Sequence, residues 1–276
     1  MRIAYLGPAG TFTEDALGEA TEEGFEPLRT ATIHDAILAV QAGEADRALV
    51  PFENSIEGSV RGTLDTLAFE AEAVTIVGEH DYAVRAHLIG REPVELGAVE
   101  AVLSHQQPLA QCARFLREQL AGVELRSVSS TAAAVRMVAE SVRPWAAIGS
   151  RAAAELYGCA ILREGIQDEA DNVTRFVWIA PAGTRPGTGE TWKTSLVFSE
   201  LGEDHPGALV NALGEFSSRR INLSRIESRP LRSGLGRYMF FCDLDGAETD
   251  GVVAEAIAAL RTKAESVRIL GSYPVD

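Results

Sequence analysis

The chain has 276 residues, 46% of them hydrophobic, which is ordinary for a globular protein of one to three domains with a full core. A formal net charge of −15 argues against nucleic acid or an anionic membrane surface as a partner, and no apolar run approaches the roughly 20 residues that span a bilayer. The first eight residues lack the long apolar stretch of a signal peptide, and Cys112, Cys159 and Cys242 stand far apart among apolar residues, so we expect a cytoplasmic protein with buried thiols, no disulfide and no zinc site.

The first 180 residues alternate between predicted strands and helices, and several of the strands end in polar side chains. Residues 3–6 form the first short strand, and a glycine-rich turn follows, with Thr11 or Thr13 as the cap of the next helix. Backbone N–H groups at such a helix start suit an anion, although an ordinary cap explains the pattern at least as well. The glycine spacing matches neither a P-loop nor a dinucleotide fingerprint, so no nucleotide is expected.

A second polar cluster follows the buried strand predicted at 47–51. Glu53, Asn54 and Ser55 stand there in a row, ahead of the next predicted helix. Turn and cap roles would account for some of them, but three consecutive hydrogen-bonding side chains exceed what one cap requires. The cluster is therefore a candidate binding site at the carboxyl end of a strand.

A third cluster follows the strand predicted at 101–103. The helix after it buries an apolar side, while Ser104, Gln107 and Gln111 fall at i, i+3 and i+7 and so share a stripe away from the core. His105 is a candidate proton donor or acceptor, and a hydrogen-bonded structural histidine is an equally good interpretation.

A fourth cluster opens the aromatic and β-branched strand predicted at 176–179. Asn172, Thr174 and Arg175 bring an amide, a hydroxyl and a guanidinium to the mouth of this strand, where α/β proteins usually bind small molecules. The alternative is that Thr174 is a plain β-former and Arg175 belongs to a solvated strand edge.

This alternation predicts two α/β lobes with a cleft between them. The chain is expected to cross between the lobes near 78 and near 159, so that lobe one covers about 1–78 and 159–181 and lobe two about 79–158. A Pro/Gly-rich, aperiodic stretch predicts a linker over 182–192. Residues 193–276 then follow a β-α-β-β-α-β order, which is ferredoxin-like and carries no obvious catalytic constellation, so we expect a binding or regulatory role.

Six short motifs in the right order make the whole chain resemble a monofunctional prephenate dehydratase with a phenylalanine-sensing ACT domain. The signature triplet of the family is Thr174-Arg175-Phe176 in this sequence. The family usually has Pro directly after its Ser-His pair, whereas here Gln106 stands in that place and Pro108 comes two residues later. The other matching motifs are 7–12, 50–58, 104–105 with 109–112, 207–210 and 227–230.

The resemblance implies an α/β fold with a two-lobed catalytic domain like that of periplasmic binding proteins over 1–181, and a ferredoxin-like βαββαβ ACT domain over 193–276. It implies a hydro-lyase that converts prephenate into phenylpyruvate, water and carbon dioxide in L-phenylalanine biosynthesis. Aromatisation drives this reaction, so no metal or organic cofactor is expected.

The resemblance also assigns roles to the polar clusters. Thr174 would serve the departing hydroxyl, Phe176 would exclude water, and Gln111 would line the cleft. Glu53 beside a dianionic substrate would have to be protonated or turned towards backbone N–H groups. The candidates for orienting the carboxylates are Thr11, Asn54, Ser55, Ser104 and Arg175.

By the same resemblance, L-phenylalanine binds where two ACT domains meet in a homodimer or homotetramer and regulates the enzyme by feedback. Gly207 permits close approach of the effector carboxylate to a helix start. Glu227 either faces the effector ammonium or pairs with Arg229, and both interpretations stay open. The implied effector residues are Gly207, Ala208, Leu209, Val210, Asn222, Glu227, Ser228, Arg229 and Pro230.

Three other interpretations compete with this one. Arogenate dehydratase is the closest, since its substrate differs from prephenate only by an amine in place of a ketone. A two-lobed cleft also suits a solute-binding protein, but the missing signal peptide counts against it. A cytosolic amino-acid sensor would need only the last 85 or so residues and would leave the polar strand ends of the first 180 unused.

Overall fold

The computed structural model describes residues 1–21, 24–202 and 206–275. The chain divides into two compact units: the first comprises Met1–Thr63 with His80–Phe176, and the second comprises Leu64–Glu79 with Val177–Asp276. Across the described ranges, no helix combines the length and the apolar character that crossing a membrane requires.

The first sheet is built around β1, which pairs in parallel with β2 and β3. The strand order is β2-β1-β3-β11-β5, with the short β4 paired to the end of β3. Its strands are β1 (Arg2–Leu6), β2 (Glu26–Thr30), β3 (Arg47–Asn54), β4 (Gly58–Ser59), β5 (Val74–Ala83) and β11 (Val173–Pro181). The helices among them are α1 (Phe12–Ala20), α2 (Ile33–Gln41) and α3 (Arg61–Phe69).

The second sheet has the order β10-β6-β9-β7-β8 and is covered by apolar side chains on both faces. Neighbours along a strand enter opposite cores, as Val102 and Leu103 do, because successive side chains of a strand point to opposite sides. Its strands are β6 (His87–Gly90), β7 (Ala101–Ser104), β8 (Glu124–Ser127), β9 (Trp145–Gly149) and β10 (Ala160–Arg163). Its helices are α4 (Gln106–Gln111), α5 (Ala113–Gln119), α6 (Thr131–Glu140) and α7 (Arg151–Tyr157).

The third sheet, in the second unit, is antiparallel with the order β13-β14-β12-β15. Phe198, Phe216 and Leu260 are among the fully buried side chains of the core that it forms with its two helices. Its elements are β12 (Thr191–Ser199), α8 (Ala208–Ser217), β13 (Leu223–Pro230), β14 (Tyr238–Asp245), α9 (Gly251–Leu260) and β15 (Ser266–Val275).

The predicted α/β class and the β-α-β-β-α-β order of the last part are confirmed. β5 stays in the first sheet until Ala83, and β10 stays in the second sheet until Arg163. The lobe crossings near 78 and near 159 and the domain end at 181 stay predictions. The predicted end of the last part, Asp276, lies outside the described residues.

The three cysteines are free thiols. Cys112 and Cys242 are fully buried, as predicted, and burial raises the pKa of each to about 12. Cys159 is only half-buried. Among the described residues, no group of three His, Cys, Asp or Glu side chains is placed to hold a metal ion.

Candidate active site

Two cavities in the first unit share part of their wall. The smaller, of about 330 Å³, is named here the Thr174 cavity. The larger, of about 590 Å³, is named the Arg136 cavity. The residues that line both are Phe12, Thr13, Gln107 and Pro108. Because the cavities adjoin, one small ligand can reach into both.

Asn54 is the centre of hydrogen bonding in the wall of the Thr174 cavity. Its Oδ1 accepts from the backbone N–H groups of Ile56 and Glu57, both at 3.0 Å, which fixes the amide nitrogen on the other side. There Nδ2 lies 2.7 Å from Asn172 Oδ1 and 2.9 Å from Thr174 Oγ1. The Asn54 side chain is buried, and its contacts orient Thr174.

Thr174 is half-buried in the wall of the cavity that bears its name. Since Asn54 donates to Thr174 Oγ1, this oxygen accepts one hydrogen bond and the hydroxyl proton remains for another acceptor. A donor on the oxygen polarises the O–H group and makes it a better donor in turn. Thr174 can therefore donate to an oxygen atom bound in the cavity.

Strand alternation places the predicted site residues on two faces of β11. Thr174 and Phe176 line the Thr174 cavity, and Arg175 between them points to the opposite face. There Arg175 Nη2 lies 3.0 Å from Glu53 Oε2, and neither side chain lines either cavity. Arg175 therefore faces Glu53 and not the cavity, and its expected contact with a substrate carboxylate stays a prediction. The carboxylate of Glu53 is paired with the Arg175 guanidinium.

Ser55 also lies outside both cavities. Its Oγ donates to Asp171 O at 3.1 Å and accepts from Val173 N at 3.0 Å, and its own N–H donates to Val173 O at 2.9 Å. The side chain joins the end of β3 to the start of β11. These bonds give Ser55 a structural role, and its expected contact with a carboxylate stays a prediction.

The polar residues at the end of β7 and in α4 also divide into one that is buried in the protein and others that line a cavity. Ser104 ends β7, is fully buried and donates its hydroxyl proton to Ile148 O at 2.7 Å, and its expected contact with a carboxylate stays a prediction. His105 caps α4 through Nδ1, which accepts from Gln107 N at 3.4 Å, and its ring lines the Arg136 cavity. The predicted stripe is correct for Gln107 and Gln111, which both line the Thr174 cavity.

Gln111 is held on both sides of its amide. Its Nε2 lies 3.4 Å from Glu57 Oε1, and its Oε1 lies 3.4 Å from Asn172 Nδ2. The bonds are long, so the amide can exchange one of them for a ligand oxygen. Gln111 lines the Thr174 cavity, and its expected place in a substrate site stays a prediction.

Thr11 caps α1 at the edge of the Arg136 cavity. Its Oγ1 accepts from Glu14 N at 3.4 Å and donates to Leu6 O at 3.2 Å. Because both hydrogen-bonding directions are used inside the protein, Thr11 mainly shapes the turn that borders the cavity.

Glu14 fixes the same turn from the other side. Its carboxylate accepts from Gly10 N at 2.5 Å, from Arg29 Nη2 at 2.8 Å and from the Tyr5 hydroxyl. Burial raises the pKa of Glu14, but the hydrogen bonds from Tyr5, Gly10 and Arg29 outweigh it, and the net pKa is lowered. Glu14 is therefore a charged, structural carboxylate.

Aromatic side chains close part of the cavity wall. Phe176 is buried and meets the Tyr82 ring edge-on, with 6.3 Å between ring centres, and the ring centre of Phe12 lies 6.5 Å from that of Tyr82. The Tyr82 hydroxyl donates to Asp15 Oδ2 at 2.9 Å, and burial raises the pKa of Asp15. This apolar wall can exclude water from a bound ring, as expected of Phe176.

Arg136 is the candidate that sequence analysis missed. It is the only Lys or Arg among the described residues that line the two cavities, and it makes no ion pair or hydrogen bond within the described ranges. It lies on α6, which Ser130 caps. Side chains on a helix tilt towards its N-terminus, so a cation in the second turn can reach a site at the start of the helix. A cation at that position, after a polar strand end, is the sequence signal that could have indicated Arg136.

A third cavity, of about 260 Å³ and named here the effector cavity, lies in the second unit. Gly207 begins α8 with φ at +91°, a left-handed conformation that glycine adopts without strain. Gly207, Ala208 and Leu209 line this cavity, whereas Val210 is 72% exposed and lies outside its wall. The other described residues that line it are Leu201, Gly236, Tyr238 and Phe240.

The other predicted effector residues do not line the effector cavity. Asn222 donates to Asp245 Oδ2 at 2.9 Å. Arg229 forms an ion pair with Asp65 at 2.7 Å, so the proposed pairing of Glu227 with Arg229 is not observed. The resemblance implied contact of Arg229 with the effector, and the alternation of β13 turns its side chain towards Asp65. Glu227, Ser228 and Pro230 belong to the same strand.

Residues 3–184 match the sequence model of prephenate dehydratase, and residues 200–262 match that of the ACT domain. The fold and the site therefore define an α/β enzyme of the hydro-lyase class joined to an ACT regulatory domain. The chain belongs to the prephenate dehydratase family.

Relatives support this assignment over the full length of the chain. A prephenate dehydratase of Mycolicibacterium smegmatis is 42% identical over 286 residues, which cover 100% of this chain and 91% of the relative. An Arabidopsis thaliana protein named arogenate dehydratase/prephenate dehydratase 2, chloroplastic, is 39% identical and is covered to 73%.

Two solved structures are also similar over the whole chain. Prephenate dehydratase from Arthrobacter aurescens in complex with L-Phe has a TM-score of 0.91 and 39% identity, with 100% of this chain and 90% of that chain covered. GqqA, described as a novel type of quorum quenching acylase, has a TM-score of 0.88 and 31% identity, with 100% and 98% covered.

Proposed function

We propose that this protein converts prephenate into phenylpyruvate, carbon dioxide and water, and that L-phenylalanine regulates it through the ACT domain. The observation that carries the proposal is the Thr174 hydroxyl, which Asn54 orients in the wall of an aromatic-lined cavity. The domain division that goes with it is catalytic over 1–181, linker over 182–192 and regulatory over 193–276.

The reaction needs little from the protein beyond placement. The bond between the ring and its carboxylate breaks, its electron pair moves through the diene, and the carbon–oxygen bond to the ring hydroxyl breaks, which leaves an aromatic ring. The departing oxygen takes up a proton and leaves as water. A hydrogen bond donated to that oxygen as charge develops on it lowers the barrier. We assign this bond to the Thr174 hydroxyl, and the hydrogen bond that Asn54 donates to Thr174 Oγ1 at 2.9 Å supports the assignment because it makes the hydroxyl a better donor.

The side-chain carboxylate of the substrate needs a partner, because a protein with net charge −15 repels a dianion as a whole. Arg175 is paired with Glu53 on the far face of β11. Arg136 has no partner of its own within the described ranges and lines the adjoining cavity. We assign Arg136 to the carboxylate, with the Gln107 and Gln111 amides as further donors in the wall.

Loss of carbon dioxide is favoured where the leaving carboxylate is poorly hydrated. Phe12, Val60, Pro108 and Phe176 supply apolar wall to the Thr174 cavity. The carboxylate that leaves is thus expected on the aromatic side of the site, and the carboxylate that stays is expected near Arg136.

The effector cavity fits a free aromatic amino acid. Its volume of about 260 Å³ suits a ligand of that size, and Leu209, Tyr238 and Phe240 offer apolar contacts. Gly207 exposes the backbone N–H groups of the α8 start to a carboxylate. The complex of the Arthrobacter aurescens relative with L-Phe supports the same effector here.

We further propose a homodimer or homotetramer in the cytoplasm. Val210 is 72% exposed, Ile226 is 47% exposed and Tyr238 is 44% exposed, all in the second unit, and such side chains favour association with a second copy. Free, buried thiols are typical of proteins from a reducing compartment.

The test is a substrate comparison with the purified full chain. We expect prephenate to yield phenylpyruvate, measured by ultraviolet absorbance, with a higher kcat/KM than the conversion of arogenate into phenylalanine. A preference for arogenate would replace the proposed substrate by the one named for the Arabidopsis relative. Turnover of an acylated quorum-sensing signal without turnover of either ring substrate would overturn the proposal in favour of the activity named for GqqA.

A further inference from the structure

Asp65 of α3 holds two arginines of the second unit. Its Oδ1 lies 3.1 Å from Arg229 Nε and 2.8 Å from Arg229 Nη2, and its Oδ2 lies 2.7 Å from Arg229 Nη2 and 2.8 Å from Arg232 Nη2. The side chains of Arg229 and Asp65 are only 15% and 20% exposed. A fork-like pair that is largely removed from water fixes both direction and distance, unlike a typical surface ion pair.

Arg229 lies beside the effector cavity but faces away from it. In the pairing of β13 with β14, Ser228 stands opposite Phe240 and Pro230 opposite Tyr238, and both aromatic residues line the effector cavity. Arg229 comes between Ser228 and Pro230, so its side chain points to the other face of the sheet. A ligand that moves β14 against β13 would therefore shift Arg229 without touching it.

The start of α3 is anchored at the wall of the Thr174 cavity. Thr63 Oγ1 donates to Pro51 O at 2.5 Å, and Thr63 N donates to Val60 O at 3.1 Å. Pro51 and Val60 both line that cavity. Thr63 and Asp65 are two residues apart in one continuous helix, so a pull on Asp65 acts on the segment that carries the cavity wall.

The far end of α3 is also held by the regulatory sheet. Arg268 of β15 donates to Ala71 O at 2.8 Å and to Leu67 O, which are carbonyl groups at the C-terminal end of the helix. Burial lowers the pKa of Arg268. A guanidinium at this end satisfies carbonyl groups that the helix leaves without partners. Arg268 thus keeps the end of α3 in place.

We propose that Asp65 and Arg229 transmit the effector response from β13 to α3, and that Arg229 acts by positioning α3 and is not a ligand of the effector. The inference rests on the proposed function, since it assigns the route by which L-phenylalanine regulates that same cavity. Two sites coupled in this way change each other's affinity by the same factor.

The test is the Asp65→Asn variant of the full chain, which removes the charge at nearly constant shape. L-phenylalanine binding is measured by calorimetry, and inhibition of prephenate turnover is measured separately. We expect an unchanged Kd for L-phenylalanine and unchanged turnover without effector. The ratio of turnover without and with saturating L-phenylalanine should fall to about one, from a wild-type ratio well above one.

The matched control is Glu215→Gln. Glu215 also accepts from two cations, Arg219 at 2.7 Å and Lys263 at 3.1 Å, within the same unit but away from α3. This variant should keep the full inhibition ratio. Arg229→Gln should reproduce Asp65→Asn, and combining the two should add nothing further.

Two outcomes would overturn the inference. A weakened Kd for L-phenylalanine in Asp65→Asn and Arg229→Gln would make Arg229 part of the effector site, and an unchanged inhibition ratio would remove the ion pair from the response. The calorimetry needs no turnover, so a wild-type protein without prephenate turnover would refute the proposed function while the binding comparison still decides the role of Arg229.

Discussion

The two faces of the sheet near Asn54 and Thr174 differ in charge. The face towards the Thr174 cavity carries Asn54, Thr174 and Phe176, which are all uncharged. The opposite face carries the ion pair of Glu53 with Arg175. An anionic ligand therefore meets hydrogen-bond donors and an aromatic wall on these strands, and the carboxylate of Glu53 lies on the other side. The carboxylate of Glu57 also lines the cavity, where it accepts from Gln111 Nε2 at 3.4 Å. Adjacent residues of one motif therefore have different roles: Thr174 lines the cavity, and Arg175 forms an ion pair on the opposite face.

The largest expected effect tests the cavity face. Thr174→Ala removes the hydroxyl that Asn54 orients, so kcat for prephenate should fall by about 10²- to 10⁴-fold, the range typical of a lost proton-transfer or hydrogen-bonding group. The thermal unfolding midpoint and the Kd for L-phenylalanine should change little. Thr174→Ser keeps the hydroxyl and should retain most of the activity. Wild-type turnover by Thr174→Ala would show that the two faces do not differ in function.

A smaller effect is expected when Arg136, which lines a cavity, is compared with Arg175, which lies on the opposite face of the sheet. Arg136→Gln should raise KM for prephenate by about tenfold, because a hydrogen bond to a charged group is lost, and should leave stability unchanged. Arg175→Gln should leave KM unchanged and lower the free energy of unfolding by about 1 kcal/mol, since its partner Glu53 is only partly buried. Urea titrations and steady-state kinetics measure both quantities.

Arg136→Lys is the control, since it keeps the charge and should restore part of the affinity. The reverse pattern, in which Arg175→Gln raises KM and Arg136→Gln does not, would return the carboxylate contact to the signature triplet.

The smallest effect concerns Glu14, at the turn that borders the Arg136 cavity. Its folded-state pKa lies below the ordinary value of 4.5, so the ionised carboxylate stabilises the fold above that value, and this stabilisation is lost as the pH falls through the folded-state pKa. Glu14→Gln should therefore lower stability near neutral pH and flatten the loss of stability in acid, measured by urea titrations across pH.

Glu118→Gln, at an exposed position of α5, should keep the wild-type pH profile. An identical profile for Glu14→Gln and the wild type would remove Glu14 from the account of the turn.

The sequence predicted the elements well because periodicity reports which side of an element is buried. The strand at 176–179 and the helix that carries Gln107 and Gln111 were both found from that pattern, and the two glutamines do line the Thr174 cavity. The position of Thr174 at a strand mouth also pointed to the site.

What the sequence could not show is which way a polar residue turns at a strand end. Ser104 and Ser55 satisfy backbone groups of neighbouring strands, and these partners are 44 and about 117 residues away along the chain. Arg175 finds Glu53 across 122 residues. Arg136 was missed because a cation in the second turn of a helix is usually an ordinary exposed residue, so this weak signal does not single it out, and the tertiary fold is what brings it to the cavity.

The three hydrogen bonds of Ser55 also fix the alignment of β3 against β11. Side chains alternate along a strand, so a slip of β11 by a single residue would bring the Arg175 guanidinium into the cavity and turn the Thr174 hydroxyl out of it. The bonds of Ser55 to Asp171 O and to both backbone groups of Val173 oppose that slip. The alignment of the strands therefore explains the place of Ser55 in the motif. Without lining the cavity itself, Ser55 determines that Thr174, and not Arg175, faces it.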